Sequence, residues 1–209
     1  MTKGMCITYK VGDGLYINVT NRCTNSCDFC IRNNGDGAYG SDPLWLTREP
    51  SVDEITSAVF SEDPQKYSEL VFCGYGEPTC RLYEIREAAL KIKEKYPSIK
   101  IRVNTNGQSD LIYGIDTTEL YKGAFDTVSI SLNTSNAEKY DAICHSVYGV
   151  AAYSALIKFA ENVKKCVPEV MFSVVRETLT KEELEECIAI SLSAGVDLKI
   201  RNYIGPSES

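Results

Sequence analysis

Short runs of β-branched and aromatic residues alternate with longer segments of helical apolar spacing along the whole chain, and this alternation limits the available folds more than any other feature. The strand candidates are GLYINVT (14–20), LVFCG (70–74), IRVNTN (101–106), TVSISL (127–132), VMFSVV (170–175) and LKIRNYI (198–204). Between them lie helix candidates at 51–61, 81–96, 117–123, 136–144, 152–166 and 181–195. Strands separated by crossover helices run parallel, and right-handed crossovers curl the sheet. Six such units predict an α/β fold, a partial (β/α)6 barrel of parallel strands with outer helices, in a single domain over 1–209. Catalytic groups in such a sheet belong at the C-terminal ends of the strands.

Local signals agree with this outline. In the segment 81–96, Leu82, Ile85, Ala89, Ile92 and Tyr96 fall near one face, while Arg86, Lys91, Lys93 and Glu94 fall largely elsewhere. Ser51 and Asn136 suit N-caps, and Gly195 suits the position just past a helix end. The longest stretch without periodicity, 32–50, is rich in Gly, Asn and Asp and carries the one Trp, Trp45. A loop of that length in a compact domain is usually functional or mobile. Its composition suits a substrate lid or a solvated loop anchored by Trp45.

Charge narrows the partners. Lys and Arg total 22 against 29 Asp and Glu, giving a net charge of −7 with no long like-charge block. That argues against non-specific binding to nucleic acid or to a membrane surface, although a local basic groove remains compatible with it. No apolar run is long enough to span a bilayer, and the start MTKGMCITYK lacks the apolar centre of a secretory signal, so the expected compartment is the cytoplasm. Thiols stay reduced there, which turns nine cysteines into metal-ligand or catalytic candidates. The one histidine, His145, rules out every site that needs two imidazoles and reads as a turn residue at a helix end.

Directly after the first strand candidate the sequence reads NRCTNSCDFC, with Cys23, Cys27 and Cys30 in a C-x3-C-x2-C pattern. Three thiolates so close can cap one face of a metal centre. A structural zinc would need a fourth ligand, such as the distant Cys73 or Cys80. An iron–sulfur cubane bound by three thiolates keeps one iron without a protein ligand, open for chemistry. Cys6, Cys73, Cys80, Cys144, Cys166 and Cys187 form no second cluster in the sequence.

With these cysteines, GYGEPT at 74–79, VNTNG at 103–107 and SISLN at 129–133, the chain resembles the radical S-adenosylmethionine (radical SAM) superfamily over nearly its whole length. Phe29 precedes the third cysteine, as is usual in the family. Gly76, Glu77 and Pro78 match its glycine–glutamate motif, with Tyr75 in place of a glycine and Asn133 in place of an Asp further on. The resemblance implies a 4Fe-4S cluster on Cys23, Cys27 and Cys30, and S-adenosylmethionine as cofactor. It implies that the 74–79 turn receives the cofactor's amino group. It further assigns Asn104, Asn106, Ser131 and Asn133 to cofactor contacts, with Arg176, Tyr203 and Ile204 facing ribose, carboxylate or adenine. Within the family, LYINVTNRCTNSCDFCIRNNGDG and LWLTREPSVDEI are most similar to the TatD-associated radical SAM proteins, a name that implies a link to TatD-like nucleases and no substrate. A chain ending after the sixth unit would be a near-minimal member.

The implied reaction is cleavage of S-adenosylmethionine to methionine and a 5′-deoxyadenosyl radical that abstracts hydrogen from a substrate, with a low-potential donor of flavodoxin or ferredoxin type. Three enzyme readings follow: a small or nucleotide-like molecule under the 32–50 loop, a protein activated at a glycyl radical, or a modified peptide. The short chain favours the first over the third. A contrasting reading is a non-catalytic iron–sulfur sensor, which needs neither an open iron nor Glu77.

Overall fold

The computed structural model describes residues 5–203. Seven strands form one sheet in the spatial order β1 to β7: β1 (Thr8–Val11), β2 (Gly14–Ile17), β3 (Leu70–Phe72), β4 (Ile101–Thr105), β5 (Thr127–Ser131), β6 (Glu169–Val175) and β7 (Asp197–Arg201). From β2 onward every neighbouring pair is parallel, and β7 pairs with neither β1 nor β2 among the described residues, so the barrel is partial. The (β/α)6 expectation therefore holds. What it lacked is β1, which is antiparallel to β2 through a tight turn where Gly12 takes φ 58°. Four residues with no helix before them gave no crossover signal.

Helices α1 (Val52–Ser61), α2 (Leu82–Lys95), α3 (Ser109–Tyr113), α4 (Ala137–Cys144), α5 (Ala151–Val163) and α6 (Lys181–Ala194) make the crossovers. The 117–123 candidate is only a single 3-10 turn, Thr118–Leu120, and α3 was not foreseen. Caps stop the helices where the sequence indicated. Ser51 Oγ accepts from the Glu54 N–H at 3.2 Å while its own N–H donates to Glu54 Oε2 at 2.8 Å, a reciprocal capping box. Asn136 caps α4, and Gly195 ends α6 at φ 67°.

Side chains alternate across each strand, and the two faces differ in kind. Leu15, Ile17, Leu70, Phe72, Ile101, Val103, Val128, Ile130, Phe172 and Val174 point outward and pack with Ile55, Ile85, Ile92, Leu156 and Phe159 of the helices into one buried core. Burying each such side chain contributes about 1.5–3 kcal/mol. The concave face instead carries Tyr16, Arg102, Asn104, Ser129, Ser131, Ser173, Lys199 and Arg201. A polar inner face in a parallel sheet marks a cavity rather than a second core. No helix among the described residues is long and apolar enough to cross a membrane.

Candidate functional site

A cavity of about 300 Å³ opens at the C-terminal ends of the strands, within the range of small-molecule sites. Cys23, Cys27, Phe29 and Cys30 line one end; Asn104, Ser131, Asn133 and Tyr203 line the rest with the turn 74–78. The structure thus brings together every residue that the resemblance assigns to the cluster or the cofactor except Arg176 and Ile204. Arg176 is exposed and donates from Nη1 to the Leu179 carbonyl at 3.0 Å, because a 3-10 turn at Arg176–Thr178 bends the chain out of β6. Ile204 lies outside the described residues.

The cysteine loop is held from across the barrel. Helix α4 ends with carbonyls that have no partner within the helix. Two of them accept from the loop: Cys144 O from the Ser26 N–H at 2.9 Å, and Ile143 O from the Asp28 N–H at 3.0 Å. His145, at φ 46° where the helix stops, sits 2.8 Å from Asp28 Oδ1 through Nε2. The turn role expected for it stands, with the added task of tying the loop down. Behind the cysteines a buried polar network runs from Thr24 and Asn25 to Gln108 and Tyr140, with Gln108 Nε2 donating to Asn25 Oδ1 at 2.9 Å and Asn25 Nδ2 to the Tyr140 hydroxyl at 2.9 Å. Sequence reasoning missed these four. The only available signal was that Thr24 and Asn25 lie between two candidate ligands.

Burial and the Glu77 charge push the Cys23 thiol up to about 12, and Cys27 and Cys30 are raised too. Without a cation these groups stay protonated; bound to one, they become thiolates. Among the described residues no three Cys, His, Asp or Glu side chains converge on a single ion. A cubane does not need such convergence, since each thiolate binds a different iron.

Glu77 is buried, and its carboxylate is fully engaged: Oε1 accepts from the Thr79 N–H at 3.0 Å and hydroxyl at 2.7 Å, and Oε2 from the Asn106 N–H at 2.7 Å. It fixes the turn after β3 against the end of β4. Gly76 lies so close to the loop after β2 that a Cβ there would sit 2.3 Å from the Thr20 carbonyl oxygen. The Tyr75 hydroxyl reaches the carbonyls of Gly35 and Gly37 at 2.6 and 2.8 Å, and Trp45 meets the Tyr75 ring edge-on at 5.0 Å. The 32–50 loop is therefore docked on the turn, with Ala38 and Leu44 in a small core beside Tyr9 and Tyr75.

Asn106 spends its side chain on Thr24 and on the Gln108 N–H. By contrast, the buried Oδ1 atoms of Asn104 and Asn133 have no partner, and Asn133 holds a left-handed φ of 62°. Both residues line the cavity, and a buried acceptor without a partner beside it suits a ligand rich in N–H and O–H donors, such as an amino acid or a nucleoside. Of the two cysteines flanking the turn, Cys73 lines the cavity and Cys80 does not; the Cys80 carbonyl accepts from Arg22 at 3.3 Å.

The sequence profile of the Radical SAM superfamily matches residues 17–189. A Pyrococcus furiosus protein named tungsten-containing aldehyde ferredoxin oxidoreductase cofactor-modifying protein is 25% identical over 198 residues, covering 92% of this chain and 51% of that protein. The chain thus spans about half the length of that curated relative. Streptococcus suis SuiB bound to its precursor peptide SuiA superimposes with a TM-score of 0.68 at 16% identity, over 94% of this chain and 40% of SuiB. SuiB bound to S-adenosylmethionine gives 0.64 at 17% identity, over 91% of this chain and 38% of SuiB. A match over this much of the chain makes the protein a member of the Radical SAM superfamily, an enzyme whose cofactors are S-adenosylmethionine and a 4Fe-4S cluster.

Proposed function

We propose that Cys23, Cys27 and Cys30 hold the cluster, and that the enzyme abstracts a hydrogen atom from a small or nucleotide-like substrate lodged against the concave face of the sheet. One observation carries this reading: a single cavity is lined by the three cysteines and by Asn104 and Asn133, whose buried Oδ1 atoms have no partner. A 4Fe-4S cluster held by Cys23, Cys27 and Cys30 would, once reduced, supply the electron for reductive cleavage of S-adenosylmethionine to methionine and a 5′-deoxyadenosyl radical.

The chain's own residues position and shield. Glu77 and Gly76 hold the 74–78 turn where its backbone can meet the cofactor's amino group, Asn133 and Asn104 accept from the cofactor's hydroxyl or amine donors, and Ser131 lies beside them. The docked 32–50 loop covers one side of the cavity and limits entry of water. A flavodoxin- or ferredoxin-type protein supplies the electron. The Pyrococcus relative is named for modifying a cofactor, which supports a small-molecule substrate over a protein. The link to a TatD-like nuclease rests on the resemblance of 15–37 and 44–55.

The test is anaerobic reconstitution, dithionite reduction and chromatography for 5′-deoxyadenosine after adding S-adenosylmethionine. Cys23→Ala, Cys27→Ala and Cys30→Ala each lose both the cluster absorbance and the product, while Cys80→Ala keeps both. A full cluster in all three alanine variants would overturn the ligand assignment.

A further inference from the structure

Three cationic side chains line the cavity: Arg102, Lys199 and Arg201. Glu77 is the only acidic residue among the lining, and its oxygens already serve Thr79 and Asn106. A chain of net charge −7 thus keeps its substrate cavity positive. Arg102 is neutralised by Glu69, with Nη2 to Oε1 at 2.6 Å and Nε to Oε2 at 3.0 Å. Lys199 and Arg201 have no ion-pair partner among the described residues. They alternate with Leu198 and Ile200 on β7, so both face the concave side at the open edge of the barrel.

The register completes the picture. Ser131 pairs with Ser173, Ser173 with Lys199, and Val175 with Arg201, so two hydroxyls and an ammonium form one row across three strands, with the guanidinium in the next row. Ser173 is buried and lines the cavity together with Arg201 and Cys73. Hydroxyls, a point charge and a planar fork in sequence suit a multivalent oxyanion.

We propose that Lys199 and Arg201 bind an anionic group of the substrate, a phosphate or a carboxylate, and so orient the molecule with that group at the β7 edge and its reacting carbon toward the cysteine end. The proposal deepens the small-molecule reading above and rests on it. Two cations without an ion-pair partner among the described residues, in a chain of net charge −7, also steer anionic substrates to the opening.

Isothermal titration of the reconstituted full chain with pyrophosphate and, separately, with succinate tests it. Saturable binding of either probe is expected, and the tighter one identifies phosphate or carboxylate as the group. Lys199→Gln and Arg201→Gln each weaken binding about tenfold and the double variant abolishes it, as expected for losing charge-assisted hydrogen bonds. Arg201→Lys retains most of it. S-adenosylmethionine binding is unchanged in all variants. Absence of saturable binding by the native chain, or equal affinity in the double variant, overturns the proposal. So does loss of S-adenosylmethionine binding with the probes still bound, which would assign these cations to the cofactor's carboxylate. Formation of 5′-deoxyadenosine is followed in parallel: production without probe binding sinks only the anion site, and probe binding without production in any preparation sinks only the radical reading.

Discussion

Glu77 Oε2 lies 2.7 Å from the backbone nitrogen of Asn106, and this one hydrogen bond joins the turn after β3 to the end of β4. A carboxylate is acceptor-only, which suits a position facing two N–H groups and a hydroxyl. Glu77→Gln puts an NH2 against one of those donors. It should lower stability by about 1–3 kcal/mol and weaken S-adenosylmethionine binding together. Urea unfolding and cofactor titration measure both; an unchanged midpoint would refute the account of the turn.

Gly76→Ala should be worse for the site than its size suggests. The added methyl meets the Thr20 carbonyl at 2.3 Å and the Arg22 carbonyl at 2.6 Å, both backbone atoms that cannot swing away. Strain of about 1–3 kcal/mol is expected, with the 74–78 turn displaced from the cysteine loop. Native-like stability together with native cofactor affinity would contradict the close approach.

Asn133 separates backbone strain from ligand contact. Asn133→Gly relieves a left-handed residue and should leave stability within about 1 kcal/mol, while Asn133→Ala lowers it. Both remove the open Oδ1 acceptor, so both should weaken S-adenosylmethionine binding equally. Full cofactor affinity in the glycine variant would show that Oδ1 contacts no ligand.

Acid should weaken the start of α1. The Arg48 guanidinium, and then the Ser51 N–H, hold the Glu54 carboxyl at about 2, below its ordinary 4.5. A depressed carboxyl contributes stability above its unfolded value and loses it as pH falls. Between pH 4.5 and 2 the native chain should therefore lose stability more steeply than Glu54→Gln, as read by thermal unfolding across that window. Parallel slopes would remove Glu54 from the account.

The barrel was legible because period-3.6 segments between short β-branched runs leave few alternatives, and because Ser51, Asn136 and Gly195 announce helix ends through their own side chains or lack of one. β1 was not, since a hairpin strand carries no crossover. Within the site, Cys23, Cys27, Cys30 and Glu77 were visible as a motif. Gln108 and Tyr140 were not: they act through contacts spanning 83 and 115 residues to Asn25, which no local pattern encodes. Arg176 misled because a strand read in extended form points its next residue inward, whereas the chain here turns away. The 32–50 loop, open between two readings, is docked through Tyr75, the residue that departs from the family motif.

The clasp between the cysteine loop and α4 sets an order of events in the making of the enzyme. Asp28 and His145 meet across 117 residues of chain, so the loop is shaped only after β5 and α4 have been made and docked. A nascent chain that has exposed only its three thiols offers scattered ligands without a cradle. On the ligand assignment proposed above, a cluster should therefore enter this loop only after most of the barrel has formed.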